Sequence, residues 1–277
     1  SLKNFISYYH LDPRSIYGKF SFSRLCAAAG VLDDFAEPAE SILTKAFSKL
    51  VSVDSRRWIK FLTDILPRFS CELAASLSDF EKRMLQMFYI TVFQEAADWR
   101  SHTTQANMQL LADSPIMMHE LNELLSFNLE RIDFIDQPVP LGFDCPLDLH
   151  CTYTRDQILI AMDYMTPKNV REGVKWLPDK QVDVFFITLN KADKDYSPTT
   201  MYNDYSINES LFHWQSQSTT SDTASTGQRY INHRQRGSKV ILFVREFKQD
   251  SIGAAPYTCL GTAAYVKHTG SKPMNIT

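Results

Sequence analysis

The residues of this chain that are best suited to chemistry lie together in one stretch, residues 196–230. It contains four tyrosines, one phenylalanine, one tryptophan and three glutamines among many hydroxyl side chains. Aromatic faces stack on nucleobases, and carboxylate or amide groups hydrogen-bond to base edges. Proteins that flip a nucleotide out of a duplex hold the base in this way. Tyr202, Asp204 and Trp214 have the side chains for such a pocket, so the stretch predicts nucleobase binding.

Structural roles are the alternative for the same residues. Phe212 and Trp214 alternate as strand residues do, so one of them is expected in the core. Tyr202 and Tyr205 could instead close the end of a barrel. Asp204 follows an asparagine and could cap a turn. From the residues alone, both interpretations stay open.

Positive charge is concentrated towards the C-terminus. Residues 200–277 contain eight Lys/Arg and five Asp/Glu, a difference of +3, whereas the whole chain carries −3. The other residues must therefore carry −6. A basic region indicates an anionic partner, and a pocket for a base flipped out of a duplex would make double-stranded DNA that partner. The predicted DNA contacts lie at the end of the aromatic stretch and after it: Gln228, Arg229, Tyr230, Arg234, Arg236, Lys239 and Arg245.

Motifs of the common enzyme classes are missing from the sequence. It contains no glycine-rich phosphate loop, no HExxH, no GxSxG and no paired carboxylates of a two-metal nuclease. We therefore expect no catalytic residue, no metal and no cofactor in this chain. One enzymatic alternative is a hydrolase that combines His213 or His233 with Asp204 and a serine.

Cysteine usage and hydropathy bear on where the protein is found. The five cysteines are scattered, and none forms a CxxC pair, which argues against a disulfide framework or a zinc site. No run of eighteen apolar residues occurs, so no membrane span is expected. A cytoplasmic location is the resulting prediction.

The elements that position these residues change in type along the chain. Only two glycines occur before residue 140, and apolar residues recur there at helical spacing, which predicts an all-α bundle of six or seven helices over residues 1–135. The clearest predicted helices are residues 41–50, 57–65, 80–95 and 116–132. Residues 136–146 hold three prolines and a glycine, so we predict a helical domain over 1–140 and a second domain over 147–277.

The second predicted domain is rich in β-strands. Thr154 and Gln157 have the spacing of a helix cap, which predicts one short helix over residues 154–165. β-type runs follow at residues 182–189, 210–215, 229–233, 239–247 and 257–267. Five or six antiparallel strands with one early helix predict a small mixed β-barrel. The predicted fold class is therefore α+β.

Four segments carry a resemblance to a known family: FFITLNKADKDYSPTTMYNDYSINESLFHWQSQS, TGQRYINH, ILFVRE and LGTAAYVKHTGSKPM. They resemble the C-terminal domain that follows phospholipase-D-type nuclease and superfamily-2 helicase regions in bacterial proteins. The best understood of these are ATP-dependent, modification-dependent (type IV) restriction endonucleases. Their C-terminal domain is similar to SRA domains, which flip a modified cytosine into a pocket.

The resemblance implies that this sequence is part of a longer protein whose domains have separate functions. An SRA/PUA-like domain would read 5-methylcytosine or 5-hydroxymethylcytosine by base flipping. The helical front would couple it to helicase and nuclease domains of the same chain, where ATP and Mg would act. The alternative is a protein-docking module of such a helicase-nuclease, without base recognition.

The resemblance also implies a set of pocket residues. SRA domains have a tyrosine, a nearby acid and then an aromatic-rich strand, and Tyr202, Asp204 and Trp214 follow that order. The acid follows the tyrosine by two positions instead of three, so Tyr205 could take the place of Tyr202. A Gly-rich turn is replaced by QSQS after the strand. The implied pocket is Tyr202, Asp204, Tyr205, Trp214, Ser216 and Gln217.

Overall fold

The front of the chain is helical, as predicted. A computed structural model of the protein describes residues 1–191 and 203–277. It contains eight α-helices before residue 131, compared with the six or seven expected. Their bounds are α1 (Leu2–Tyr9), α2 (Phe22–Ala28), α3 (Glu40–Leu50), α4 (Arg56–Ile65), α5 (Cys71–Ser76), α6 (Asp79–Phe93), α7 (His102–Ala112) and α8 (Pro115–Glu130).

Local capping explains where several of these helices begin. Ser78 and Glu81 form a reciprocal capping box at the start of α6. The side chain of Ser55 accepts a hydrogen bond from the backbone of Trp58 at the start of α4. Helix α6 is buried continuously from Met84 to Val92, so it is the central helix of the front half.

The rest of the chain forms two further α-helices and eleven strands among the described residues. Its largest sheet has five strands in the order β1-β9-β6-β3-β2, and a second sheet has the order β10-β11-β5-β4. β7 and β8 form a separate two-stranded hairpin. The bounds are β1 (Thr152–Tyr153), α9 (Arg155–Ala161), β2 (Val174–Leu177), β3 (Val182–Asn190), β4 (Tyr205–Ser206), β5 (Phe212–Gln215), α10 (Ser225–Ile231), β6 (Lys239–Phe247), β7 (Gln249–Asp250), β8 (Gly253–Ala254), β9 (Tyr257–Ala263), β10 (His268–Thr269) and β11 (Asn275–Ile276).

The predicted barrel is wrong: in the part of the chain that the structure describes, no sheet closes on itself. The two central strands, β3 and β6, run parallel, whereas an antiparallel arrangement was expected. Parallel strands are covered on both faces and are therefore almost continuously apolar. Both strands have that pattern, with seven consecutive buried residues in β3. The edge strands β1 and β2 stay apart, which leaves the sheet open.

A second correction concerns residues 229–233, which were expected to form a strand. They lie instead at the end of helix α10 and in the turn that follows it. The spacing of Gly227, Tyr230 and Ile231 suits one face of a helix, and Gly227 and Tyr230 are buried there. Four-residue to seven-residue apolar segments do not distinguish a helix from a strand by themselves.

The two halves of the chain pack against each other. Helix α6 lies against α9, and a single apolar cluster extends from Phe88 to Ile160 and Phe243. Polar contacts cross the same junction: Gln157 Nε2 donates to Thr91 Oγ1 at 2.9 Å. The predicted boundary between domains at residues 136–146 remains a prediction. Among the described residues, no helix is long and apolar enough to cross a membrane.

Candidate nucleic-acid interface

Those predicted pocket residues that the structure describes do not converge on one face of a sheet. Tyr202 lies outside the described residues. Tyr205 pairs with His213 across β4 and β5, and the two rings stack with their centroids 4.7 Å apart. Because side chains alternate along a strand, Trp214 points to the opposite face from His213 and Tyr205. Tyr205 and Trp214 therefore cannot hold one base between them in this arrangement.

Trp214 belongs largely to an aromatic core. Its ring centroid lies 4.3 Å from that of Phe185 and 5.4 Å from that of Tyr230. Trp214 is 8% exposed and Tyr230 is 3% exposed. The two rings pack the second sheet and α10 against the five-stranded sheet, which is the structural role considered for Trp214 from the sequence.

Asp204 is buried and already has partners. Its carboxylate accepts hydrogen bonds from Lys191 Nζ at 2.7 Å and from the backbone N–H of Gln215 at 2.9 Å. The side chains of both Lys191 and Asp204 are less than a tenth exposed. A base amine would have to compete with this ammonium group for the carboxylate.

Ser216 and Gln217 tie the loop after β5 to its surroundings. The hydroxyl of buried Ser216 accepts from the backbone N–H of Met274 at 2.8 Å. Gln217 Oε1 accepts from Thr220 Oγ1 at 3.1 Å and from the Tyr230 hydroxyl at 3.4 Å. These contacts anchor the loop and use the polar atoms that were expected to face a base.

Arg229, a predicted DNA contact, forms a buried ion pair. Its Nε and one terminal nitrogen donate to both carboxylate oxygens of Asp183, at 2.7 and 2.9 Å. The guanidinium also lies over the Trp176 ring. Asp183 is fully buried in β3, and burial raises the pKa of its carboxyl despite the opposing effect of Arg229. The pair attaches α10 to the central sheet.

Three other predicted contacts also have partners within the protein. Gln228 Nε2 donates to the backbone carbonyl of Asp222 at 2.7 Å, and Lys239 Nζ donates to that of Pro140 at 3.2 Å. Arg245 Nε donates to Thr188 Oγ1 at 2.9 Å, and the guanidinium lies over a tyrosine ring. Their side chains are partly buried, so any DNA contact would be additional to these interactions.

Arg234 and Arg236 are different, because both are exposed in the turn after α10. Arg234 also lies at a cleft of about 470 Å³ between the two larger sheets. Of the predicted DNA contacts, these two arginines are the best placed to reach a phosphate. DNA binding by them stays a prediction.

The cleft between the sheets, called here the aromatic cleft, is lined in part by Trp214 of the predicted pocket. Phe212 and Tyr265 contribute partly exposed rings, Trp214 lies between them and the core, and Glu209 supplies a carboxylate from the β4–β5 turn. Sequence reasoning did not single out Glu209 or Tyr265. Their chain positions are far apart, and only the packing of the two sheets brings them to one cleft.

The histidines considered for a hydrolase have other surroundings. Both ring nitrogens of buried His233 face the backbone: Nε2 accepts from the N–H of Tyr265 at 3.0 Å, and Nδ1 lies 3.3 Å from the carbonyl of Ser238. His213 stacks on Tyr205. Within residues 1–191 and 203–277, neither histidine is hydrogen-bonded to Asp204.

One group of side chains has the proximity of a metal site. Ligand atoms of Asp136, Asp148 and Cys151 lie within 4.8 Å of one another. Asp136 pairs with Arg56, and Asp148 pairs with Arg57. Burial raises the pKa of the Cys151 thiol well above its usual range. The arginines would have to release both carboxylates before these could bind a metal, and the two ion pairs join the two halves.

Comparison with known families identifies one match. Residues 147–276, just under half of the chain, match a family described as "Domain of unknown function (DUF3427)". No curated protein matches the chain. The matched region contains both larger sheets and the aromatic cleft, and the description assigns no activity to it.

Proposed function

We propose that this chain is a DNA-binding module that recognises 5-methylcytosine or 5-hydroxymethylcytosine in a flipped nucleotide. The observation that carries the proposal is the aromatic cleft, which combines partly exposed rings, a carboxylate and an arginine at one cavity. Flipped bases are read by stacking on such rings and by hydrogen bonds to their polar edge. A cavity of about 470 Å³ is within the range of sites for small ligands.

The roles within the cleft follow from the chemistry of its side chains. Phe212 and Tyr265 stack on the base, and Glu209 accepts hydrogen bonds from the exocyclic amine of cytosine. Glu209 takes this role in place of Asp204 because the Asp204 carboxylate is already paired with Lys191. Arg234 contacts the adjacent phosphate.

Selectivity for the modification comes from apolar contact with the 5-substituent. Leu260 and Val266 line the cleft and are 44% and 58% exposed. One additional methyl group in an apolar pocket contributes about 1–3 kcal/mol, which corresponds to about a tenfold to 200-fold preference. The proposal therefore requires a preference of at least about tenfold.

The helical front serves as the coupling element to helicase and nuclease domains of the same chain. The continuous packing of α6 on α9 supports this role, because a displacement of the sheet is transmitted through a close-packed core. In this proposal the helicase and nuclease domains use ATP and Mg and carry out catalysis, and residues 1–277 contribute DNA binding.

The test is a fluorescence-anisotropy titration with matched duplexes that differ only in the 5-substituent of one cytosine. The modified duplex is expected to bind at least about tenfold more tightly. Glu209→Gln removes the acceptor that holds the flipped base, so neither cytosine stays in the cleft and the preference is expected to be lost. The control Glu246→Gln, an exposed acid on β6 outside the cleft, is expected to keep it. Loss of the preference in Asp204→Asn, but not in Glu209→Gln, would restore Asp204 to the reading role. Equal affinity for both duplexes contradicts the proposal.

A protein-docking function is the second candidate, and the same exposed apolar side chains favour it. Leu260 and Val266 present apolar surface at the rim of the cleft, as interaction sites do. A docking module would bind neither duplex at low or at moderate salt. Salt-dependent DNA binding by the wild-type chain excludes this candidate as the main function.

A further inference from the structure

A second and larger cavity lies between the helical front and the sheet region. It has a volume of about 850 Å³. Seven lysines and arginines line it, together with a single acid, Asp156, so the formal net charge of the lining is +6. The basic residues of this cavity, called here the basic cleft, are Lys19, Lys45, Lys49, Arg155, Arg171, Arg245 and Lys248.

Elements from both halves build the basic cleft. Helix α3 contributes Lys45 and Lys49, which are four residues apart and therefore lie on one face of the helix. The opposite wall comes from the end of β6 and from the hairpin of β7 and β8. An ion pair between Arg14 and Asp250 joins the helical front to this hairpin. The cleft therefore exists only when the helical front is packed on the sheet.

The lining of the cleft contains many more basic than acidic side chains. The chain as a whole carries −3, yet one cavity collects seven cations. Among the described residues, no carboxylate lies within salt-bridge distance of Lys19, Lys45 or Lys49. Burial lowers the pKa of Lys49, and nearby Lys168 acts in the same direction, while Asp156 opposes it. Concentrated like charge destabilises the folded state, and a bound polyanion relieves that repulsion.

The lining favours phosphate contacts over base contacts. Hydroxyl groups of Thr44 and Ser48 lie beside the lysines of α3, and such groups hydrogen-bond to phosphate oxygens. The two aromatic residues of the cleft, Tyr17 and Tyr257, are 1% and 2% exposed, so their faces are not open for stacking on a base. Cations spread over two walls match a chain of phosphates better than a single one.

We infer that the basic cleft binds the phosphate backbone of a DNA strand, so that the helical front contacts DNA directly. Binding there is independent of sequence and of base modification. The inference rests on the proposed function for the identity of its polyanion, and it adds a site that lies outside the aromatic cleft.

The test compares two double variants, each of which removes two positive charges. Lys19→Gln/Lys45→Gln removes two exposed cations of the cleft. The control Lys60→Gln/Lys82→Gln removes one exposed and one half-buried cation from α4 and α6 outside the cleft. Binding of unmodified duplex and single-stranded DNA is measured by anisotropy across a salt series. Each phosphate contact contributes about one unit to the slope of log affinity against log salt. The cleft variant is expected to lose about two units of slope, and the control none.

Each other outcome overturns the inference in a recognisable way. Equal slopes for the wild type and the cleft variant, or an equal loss in the control, exclude a phosphate site in the basic cleft. If neither DNA form binds, but tripolyphosphate raises the melting temperature of the wild type and not of the cleft variant, the site takes a small polyphosphate instead of DNA.

The same titrations separate this inference from the proposed function. Because the probe carries no modified base, binding that depends on Lys19 and Lys45 supports the basic cleft even when modified and plain duplexes bind equally. A modification preference that survives alongside unchanged salt slopes in the cleft variant supports the proposed function and excludes the basic cleft.

Discussion

Replacement of Arg229 by methionine tests whether this arginine holds the fold together or contacts DNA. The change keeps most of the apolar contact of the side chain and removes the two hydrogen bonds to Asp183. A fully buried carboxylate then remains without its cation. Breaking a buried pair in this way costs about 3–5 kcal/mol, and the Arg229 side chain is 16% exposed, which favours the lower end of about 3 kcal/mol.

The loss of stability in Arg229→Met is expected to depend on pH in one direction. Burial raises the pKa of Asp183 above its ordinary value of 3.8, and Arg229 opposes the rise. Without Arg229 the pKa of Asp183 in the folded state rises further. A group whose folded pKa is raised binds its proton more tightly when folded, so protonation favours folding. The loss of stability in Arg229→Met is therefore full above that folded pKa and diminishes as the pH falls through it.

Urea unfolding followed by tryptophan fluorescence measures the effect, because Trp176 lies directly under the guanidinium. The double variant Asp183→Asn/Arg229→Met removes the unpaired charge and is expected to recover most of the stability. The cycle of single and double variants gives the coupling energy of the pair. Arg236→Met is the control, since this exposed arginine should change the free energy of unfolding by less than about 0.5 kcal/mol.

The opposite pattern would refute this reasoning. If Arg229→Met unfolds like the wild type but loses affinity for all duplexes, the guanidinium contacts phosphate and its pairing with Asp183 adds little. Arg236→Met is expected to behave in that second way, with unchanged stability and weaker DNA binding.

Two further changes test other features of the fold. Burial raises the pKa of Asp54 to about 6 from 3.8, so the wild type loses stability as the pH rises through this interval. Asp54→Asn removes this titration. Its free energy of unfolding in urea, relative to that of the wild type, should increase by about 2–3 kcal/mol between pH 4 and pH 7. A difference between the two proteins that does not change with pH contradicts this. Gly227→Ala places a methyl group 2.0 Å from the backbone carbonyl oxygen of Ser221 and should cost about 1–3 kcal/mol by overpacking. In thermal unfolding, Gly173→Ala, which has 3.5 Å to its nearest neighbour, is the control, and equal melting of both variants would show that α10 does not pack as described.

The helical front could be predicted because its signals are local. Apolar residues at helical spacing marked four helices, and the structure begins and ends each of them within two residues of the prediction. Thr154 and Gln157 form the reciprocal cap that their spacing predicted. In such cases the interacting groups lie within one turn of the helix, so the interaction can be predicted from neighbouring residues in the sequence.

The candidate site could be predicted only in part. The stretch around Trp214 does line a cleft, as its aromatic content suggested. The alternative sandwich of Tyr205 with Trp214 is not brought together, because the pairing of β4 with β5 places the two rings on opposite faces. The expected sandwich of Tyr202 with Trp214 stays a prediction, since Tyr202 lies outside the described residues. That pairing register depends on partners across the sheet and cannot be recovered from the order of residue types alone.

The helical front, the caps, the apolar strands and the segregation of charge towards the C-terminus can be read from residue types and their local spacing. The parallel course of β3 and β6 and the helix at residues 225–231 depend instead on packing between distant parts of the chain. Tertiary structure also decided that Arg229 meets Asp183, and that α3 and the end of β6 enclose one basic cleft. These contacts join residues far apart in the chain, and burial and strand pairing select among local alternatives of similar free energy.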